Sequence, residues 1–172
     1  MPIWPFRRSR ADNDAATLLE AVTAASRQGA FFGEGRAPDT LQGRFELMTV
    51  HAALALIRLR AEAETAPLAQ SFTDQLFRFF DAGLREDGVG DLVVPKRMRA
   101  LAGAFYGRLE AYSAALATGD APALAMALGR NVLGDEAAPY APALAAHVQA
   151  LAEHQAQAPA AALLSSAAWT IA

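Results

Sequence analysis

The chain has 172 residues, no cysteine and a formal net charge of -3. Without cysteine there can be no disulfide framework, thiolate metal site or cysteine nucleophile, and the lack of a basic excess argues against a general nucleic-acid binder, DNA included. Alanine fills 43 positions, about a quarter of the chain, and with abundant leucine this favours helix almost everywhere, so the expected class is all-α: one compact bundle of about six helices around a central antiparallel helix hairpin.

The opening MPIWPFRRSR has no apolar core of a secretory signal, and Pro2 and Pro5 discourage a helical transit peptide. Residues 1–13 read as a flexible arm. Trp4 and Phe6 beside Arg7, Arg8 and Arg10 would suit an anionic lipid surface, where each basic side chain contributes about 1 kcal/mol, or a ribosome. A helical domain is expected over 14–157. Its first helix runs from Asp14 to Gln28, with Leu18, Leu19, Val22 and Ala25 on one face and Gly29 as its stop. Phe31 and Phe32 then lie in a glycine- and proline-containing loop over 29–39, whose aromatics would dock on the body or on a partner.

Asp39 or Thr40 can cap the next helix, Leu41 to about Glu64, which is apolar on more than one side and therefore central. Arg44, His51 and Arg58 recur every seven residues along it. A basic line on a buried helix demands carboxylate, carbonyl or ligand partners. Pro67 divides this helix from the next.

The hairpin comes next. Leu68, Phe72, Leu76, Phe79, Phe80 and Gly83 predict one buried face, while Asp74, Arg78, Asp81 and Arg85 alternate in sign on the other. Gly88 can close that helix in the left-handed conformation, and Pro95 suits the first turn of its successor. There Met98, Leu101, Phe105, Leu109, Tyr112 and Leu116 form a stripe beside the small residues Ala100, Gly103, Ala104, Gly107 and Ala111, which predict close approach of another helix. Gly119, Asp120 and Pro122 mark a break before a short helix ending near Val132, and a last helix is expected over Ala141–Gln155 with His147 and His154 on its surface. The tail, 158–172, carries Leu163, Leu164, Trp169 and Ile171, which can dock on the body or meet a partner.

Little in this pattern suggests catalysis. No GxSxG context or HExxH spacing is present, His51 with Glu46 or Asp91 makes a poor metal set, and His51 reads as a hydrogen-bonded core residue. GVGD at Gly88–Asp91 follows a helix, lacks GK[ST] and is flanked by Glu86, Asp87 and Asp91, so it reads as a turn and not a phosphate cradle. From Thr118 onward one arginine, Arg130, faces Asp120, Asp135, Glu136 and Glu153, while residues 1–117 balance. No apolar run reaches the ~20 residues of a membrane span. The expectation is a cytoplasmic, non-enzymatic protein without metal or cofactor.

The segments APDTLQGRFELMTVHAALALIRL at 37–59 and LREDGVGDLVVPKRMRALAGAFYGRLEAY at 84–112, with Arg130–Asn131, resemble the ubiquinol-cytochrome c chaperone family. The likeness spans about residues 14–133, its most specific part being Arg85 to Asp91. It implies an assembly factor for respiratory complex III of bacterial type, binding newly made cytochrome b, in mitochondrial relatives near the ribosomal tunnel exit and with a small helical partner. On that reading Arg44, Arg58, Arg85, Glu86, Asp91, Lys96, Arg97 and Arg99 are candidate client or partner contacts. Phe45, His51, Gly88, Gly90, Pro95, Tyr106, Gly107, Arg108 and Asn131 are structural. Peripheral contact with the cytoplasmic face of the inner membrane would go through the N-terminal arm. Two other readings stand beside it: an RNA- or ribosome-binding translation factor, and an all-α protein with a ligand at His51.

Overall fold

Ser9 caps the first helix. Its Oγ accepts from the Asp12 amide at 3.0 Å while Asp12 Oδ2 accepts from the Ser9 amide at 3.2 Å, a reciprocal cap that satisfies two otherwise orphaned donors. The first helix therefore starts at Arg10 and not at Asp14. In the computed structural model, which describes residues 9–171, the order is α1 Arg10–Ser26, α2 Leu41–Arg60, α3 Ala66–Glu86, α4 Val94–Thr118, α5 Ala121–Leu128 and α6 Ala141–Ala156. No strand occurs among these residues. The aromatic and basic cluster at Trp4 to Arg8 lies outside the described residues.

The centre is α2. From Glu46 to Leu56 every one of its residues is buried, and α1, α3, α4 and α6 all pack on it. Thr40 caps it by accepting from the Gly43 amide at 3.2 Å. Gly43 cannot be larger, because a Cβ there would stand 1.9 Å from the Pro38 carbonyl oxygen. The α3–α4 hairpin forms with its two helices joined as expected, and it packs on α1 through α3, on α5 through α4 and on α2 through both. Phe72, Leu76 and Phe80 enter the core from α3, and Phe105, Leu109 and Tyr112 from α4. Phe77 meets Phe105 edge-on at 5.6 Å.

Two expectations for the hairpin change. Phe79 belongs to the outer face, 38% exposed, because an α-helix turns 100° per residue and cannot bury both Phe79 and Phe80 on one narrow contact. Gly103 and Gly107 have open space where a Cβ would stand. Among the described residues, no helix lies against Gly103 or Gly107. Between the helices Gly88 takes φ 82, and the Gly90 carbonyl receives the amides of Val93 at 2.8 Å and Val94 at 3.2 Å. Pro67 and Pro95 both sit in first turns, of α3 and α4, where a missing N–H costs nothing.

Gly119 closes α4 at φ 65, and Asp120 caps α5 by accepting from the Ala123 amide at 2.9 Å. A π-helical turn, Gly129–Leu133, leads toward α6, which packs on α5. The tail docks on the body. Leu163 and Trp169 are buried, and Trp169 Nε1 donates to the Leu163 carbonyl at 2.9 Å.

Candidate functional site

A surface groove runs along α3. Its deeper part, a cavity of about 440 Å³, is floored by Leu56, Leu59, Phe77 and Tyr106 and rimmed by Arg60, Glu62, Gln70, Thr73 and Asp74. Asp74 and Phe77 also border a shallower cavity of about 550 Å³ with Arg78 and Asp81. The pair spans Ala66 to Asp81, about 22 Å along the helix axis, the length of roughly four turns of a bound helix. Tyr106 is 45% exposed at its edge. Beside it on α4 runs the uncovered strip containing Gly103 and Gly107, which would admit another backbone without side-chain clashes.

The basic line on α2 finds its partners inside the protein. Arg44 Nε donates to Asp39 at 2.7 Å, which holds that carboxyl below its ordinary range. His51 Nδ1 lies 2.8 Å from the Leu47 carbonyl, and because a carbonyl only accepts, Nδ1 carries the proton. Burial pushes the His51 pKa down to about 4, so the ring is neutral. Phe31 stands edge-on to it at 5.4 Å, and Trp169 lies 6.1 Å away. His147, expected on the surface, is half-buried, its ring edge-on to Phe31 at 5.1 Å. The cluster joins the 29–39 loop, the central helix, α6 and the tail. It is packing with a satisfied imidazole.

Arg58, one of the candidate client contacts, is engaged within the chain, its side chain 13% exposed. Its Nε donates to the Gln155 carbonyl at 3.0 Å and its Nη2 to the Ala158 carbonyl at 2.6 Å and to Glu62. Glu62 in turn accepts from the Ala160 amide at 3.2 Å. These bonds tie the tail to the end of α2.

Arg108 holds the other deep polar contact. Its Nε and Nη2 donate to the two oxygens of Glu46, each at 2.7 Å, and Gln42 adds a third bond at 2.7 Å. Glu46 is 1% exposed. Burial lifts its carboxyl above the ordinary range, opposed by the guanidinium beside it. Sequence reasoning does not mark Glu46 as structural, although an acid inside the apolar stretch 45–59 is the signal that could have found it. Tyr112, buried, has its hydroxyl pushed up to about 12 by desolvation and accepts from Asn131 Nδ2 at 3.4 Å. Phe45 is half-buried, edge-on to Phe80 at 5.0 Å.

The remaining motif residues gather at the free end of the hairpin. Arg85 bridges Asp81, at 2.7 Å, and Asp91. Gly88, Gly90 and Pro95 shape the connector. Glu86, Lys96, Arg97 and Arg99 are exposed, and none of these four forms an ion pair among the described residues. No group of three or more His, Asp or Glu side chains there could hold a metal ion. No described helix is long and apolar enough to cross a membrane.

These features define an all-helical protein with a groove along α3 and an exposed hairpin tip, in which the buried Glu46 is matched by Arg108, and Thr49 Oγ1 and Gln155 Oε1 are buried without a partner among the described residues. The family model described as ubiquinol-cytochrome C chaperone matches residues 34–170. The chain belongs to that family. It is also similar to the crystal structure of the Cbp3 homolog from Brucella abortus, with a TM-score of 0.81 and 40% identity over 91% of this chain and 88% of that one. None of the curated proteins matches significantly. The family match continues through the tail to residue 170, a correction to the end at residue 133 expected from motifs alone.

Proposed function

We propose that this protein assists the assembly of respiratory complex III by holding newly made cytochrome b in the groove along α3 until its partners arrive. The observation that carries this reading is the family match across residues 34–170. The geometry supports it. An unassembled membrane subunit offers apolar helices that need cover, and a groove about four turns long with Phe77 and Tyr106 in its floor receives a helix through apolar anchors. The polar rim is worth little, because exposed ion pairs contribute about 0–1 kcal/mol each. Affinity then rests on the buried anchors. The role is binding, without a reaction, and contact with the ribosome would place the protein where the client emerges.

Deleting the gene and measuring cytochrome b and assembled complex III tests the role, and both are expected to fall. Normal levels of both would overturn it. Phe77→Asp with Tyr106→Asp tests the seat: recovery of cytochrome b from detergent extracts should drop at least about tenfold, the worth of about 1.4 kcal/mol of lost anchoring, with helical circular dichroism retained.

A further inference from the structure

The free end of the hairpin has chemistry that the groove does not use. Leu92 is 96% exposed and Val93 47%, while the next residue, Val94, is 1% exposed and anchors the turn. A single exposed leucine needs no explanation. The cations just beyond it do. Lys96, Arg97 and Arg99 occupy the first six residues of α4, whose first turn contains no acid. Cations at a helix N-terminus oppose the macrodipole, and these three form no ion pair among the described residues. Arg58, Arg85 and Arg108, by contrast, are all matched internally.

Apart from a long hydrogen bond from Arg99 Nε to the Pro95 carbonyl at 3.4 Å, the triplet has no partner among the described residues, and its charge is available to an outside anion. Acids do lie across the connector. Of Glu86, Asp87 and Asp91, the last is held by Arg85, and residues 85–99 carry four cations against three acids in a chain whose net charge is -3. A free phosphate or a nucleic acid would account for the cations and leave Leu92 and Val93 in water. An anionic bilayer accounts for both, offering headgroup phosphates to Lys96, Arg97 and Arg99 and an apolar boundary just beneath them.

We propose that the α3–α4 connector is a membrane-docking tip, which seats Leu92 and Val93 at the acyl boundary of an anionic bilayer with Lys96, Arg97 and Arg99 on the lipid phosphates. Its binding to lipid requires no client. It would hold the groove beside the surface from which a membrane subunit must be received.

The test is flotation of the full-length protein with vesicles of phosphatidylcholine alone and of phosphatidylcholine mixed with phosphatidylglycerol. The protein should float with the mixed vesicles only. Each basic side chain near such a surface strengthens binding about five-fold, so losing three cations weakens partition about a hundred-fold and Lys96→Glu/Arg97→Glu/Arg99→Glu, which reverses their sign, should weaken it by at least that much. Leu92→Ser/Val93→Ser should weaken it at least about tenfold. All these positions are exposed, so circular dichroism should not change. Absence of flotation by the parent protein, or undiminished flotation of the Leu92→Ser/Val93→Ser variant, overturns the proposal. Cytochrome b recovery in detergent, where no bilayer exists, is the separate readout. If the serine variant loses cytochrome b there and still floats, the tip binds client and not lipid; if flotation fails while recovery persists, the docking proposal falls and the chaperone reading stands.

Discussion

His51 shows how burial turns one side chain into a pH-dependent stability element. The ring is 2% exposed and its pKa falls from 6.5 to about 4 in the folded protein. Between those values the unfolded chain binds a proton that the folded chain refuses, so stability is fully present above pH 6.5 and is lost as pH falls toward 4, by up to about 3 kcal/mol. His51→Leu should flatten that loss in urea titrations across the same window, leaving the smaller slope of His147, whose pKa burial also lowers. At neutral pH the substitution should cost no more than about 1 kcal/mol, the worth of one hydrogen bond. Arg108 is a different case. Removing it strands the Glu46 carboxylate in the interior, so Arg108→Leu should destabilise by about 3–5 kcal/mol in urea unfolding, whereas Glu46→Leu combined with Arg108→Leu should recover most of the loss.

At the level of the helix, α4 carries a contradiction that points outward. Gly103 and Gly107 weaken a helix interior by about 1 kcal/mol each relative to alanine, yet nothing among the described residues approaches them. Gly103→Ala and Gly107→Ala should therefore each stabilise the free protein by about 0.5–1 kcal/mol in thermal melts. The same changes should lower recovery of cytochrome b if the strip is kept small for a bound backbone. A rise in melting temperature with unchanged recovery would separate the strip from the client seat. The connector shows the complementary logic, with Gly88 at φ 82 supplying a turn that a branched residue would strain.

The whole molecule is closed by its tail. Arg58 reaches the carbonyls of Gln155 and Ala158, and Trp169 fills the space beside His51. Trp169→Ala should cost about 3–5 kcal/mol. Arg58→Ala should release the segment, which would appear as a red shift of tryptophan emission. Because α2 touches four other helices, damage at either of its ends should be felt as a cooperative loss of the fold and not as local fraying.

Composition and periodicity determined the helical class, and local chemistry determined most boundaries: Thr40, Gly88, Pro95, Gly119 and Asp120 act within a few residues of themselves, so their roles can be read without a fold. The resemblance in residues 37–59 and 84–112 likewise rests on contiguous residues. Tertiary structure alone decided the rest. Whether a line of arginines faces a client or its own chain depends on what lies nearly a hundred residues away, as the bond from Arg58 to Gln155 shows. Whether a glycine strip receives a helix depends on which helices are left over to cover it. Those are questions of long-range packing, and a one-dimensional pattern records which faces could be buried without recording against what.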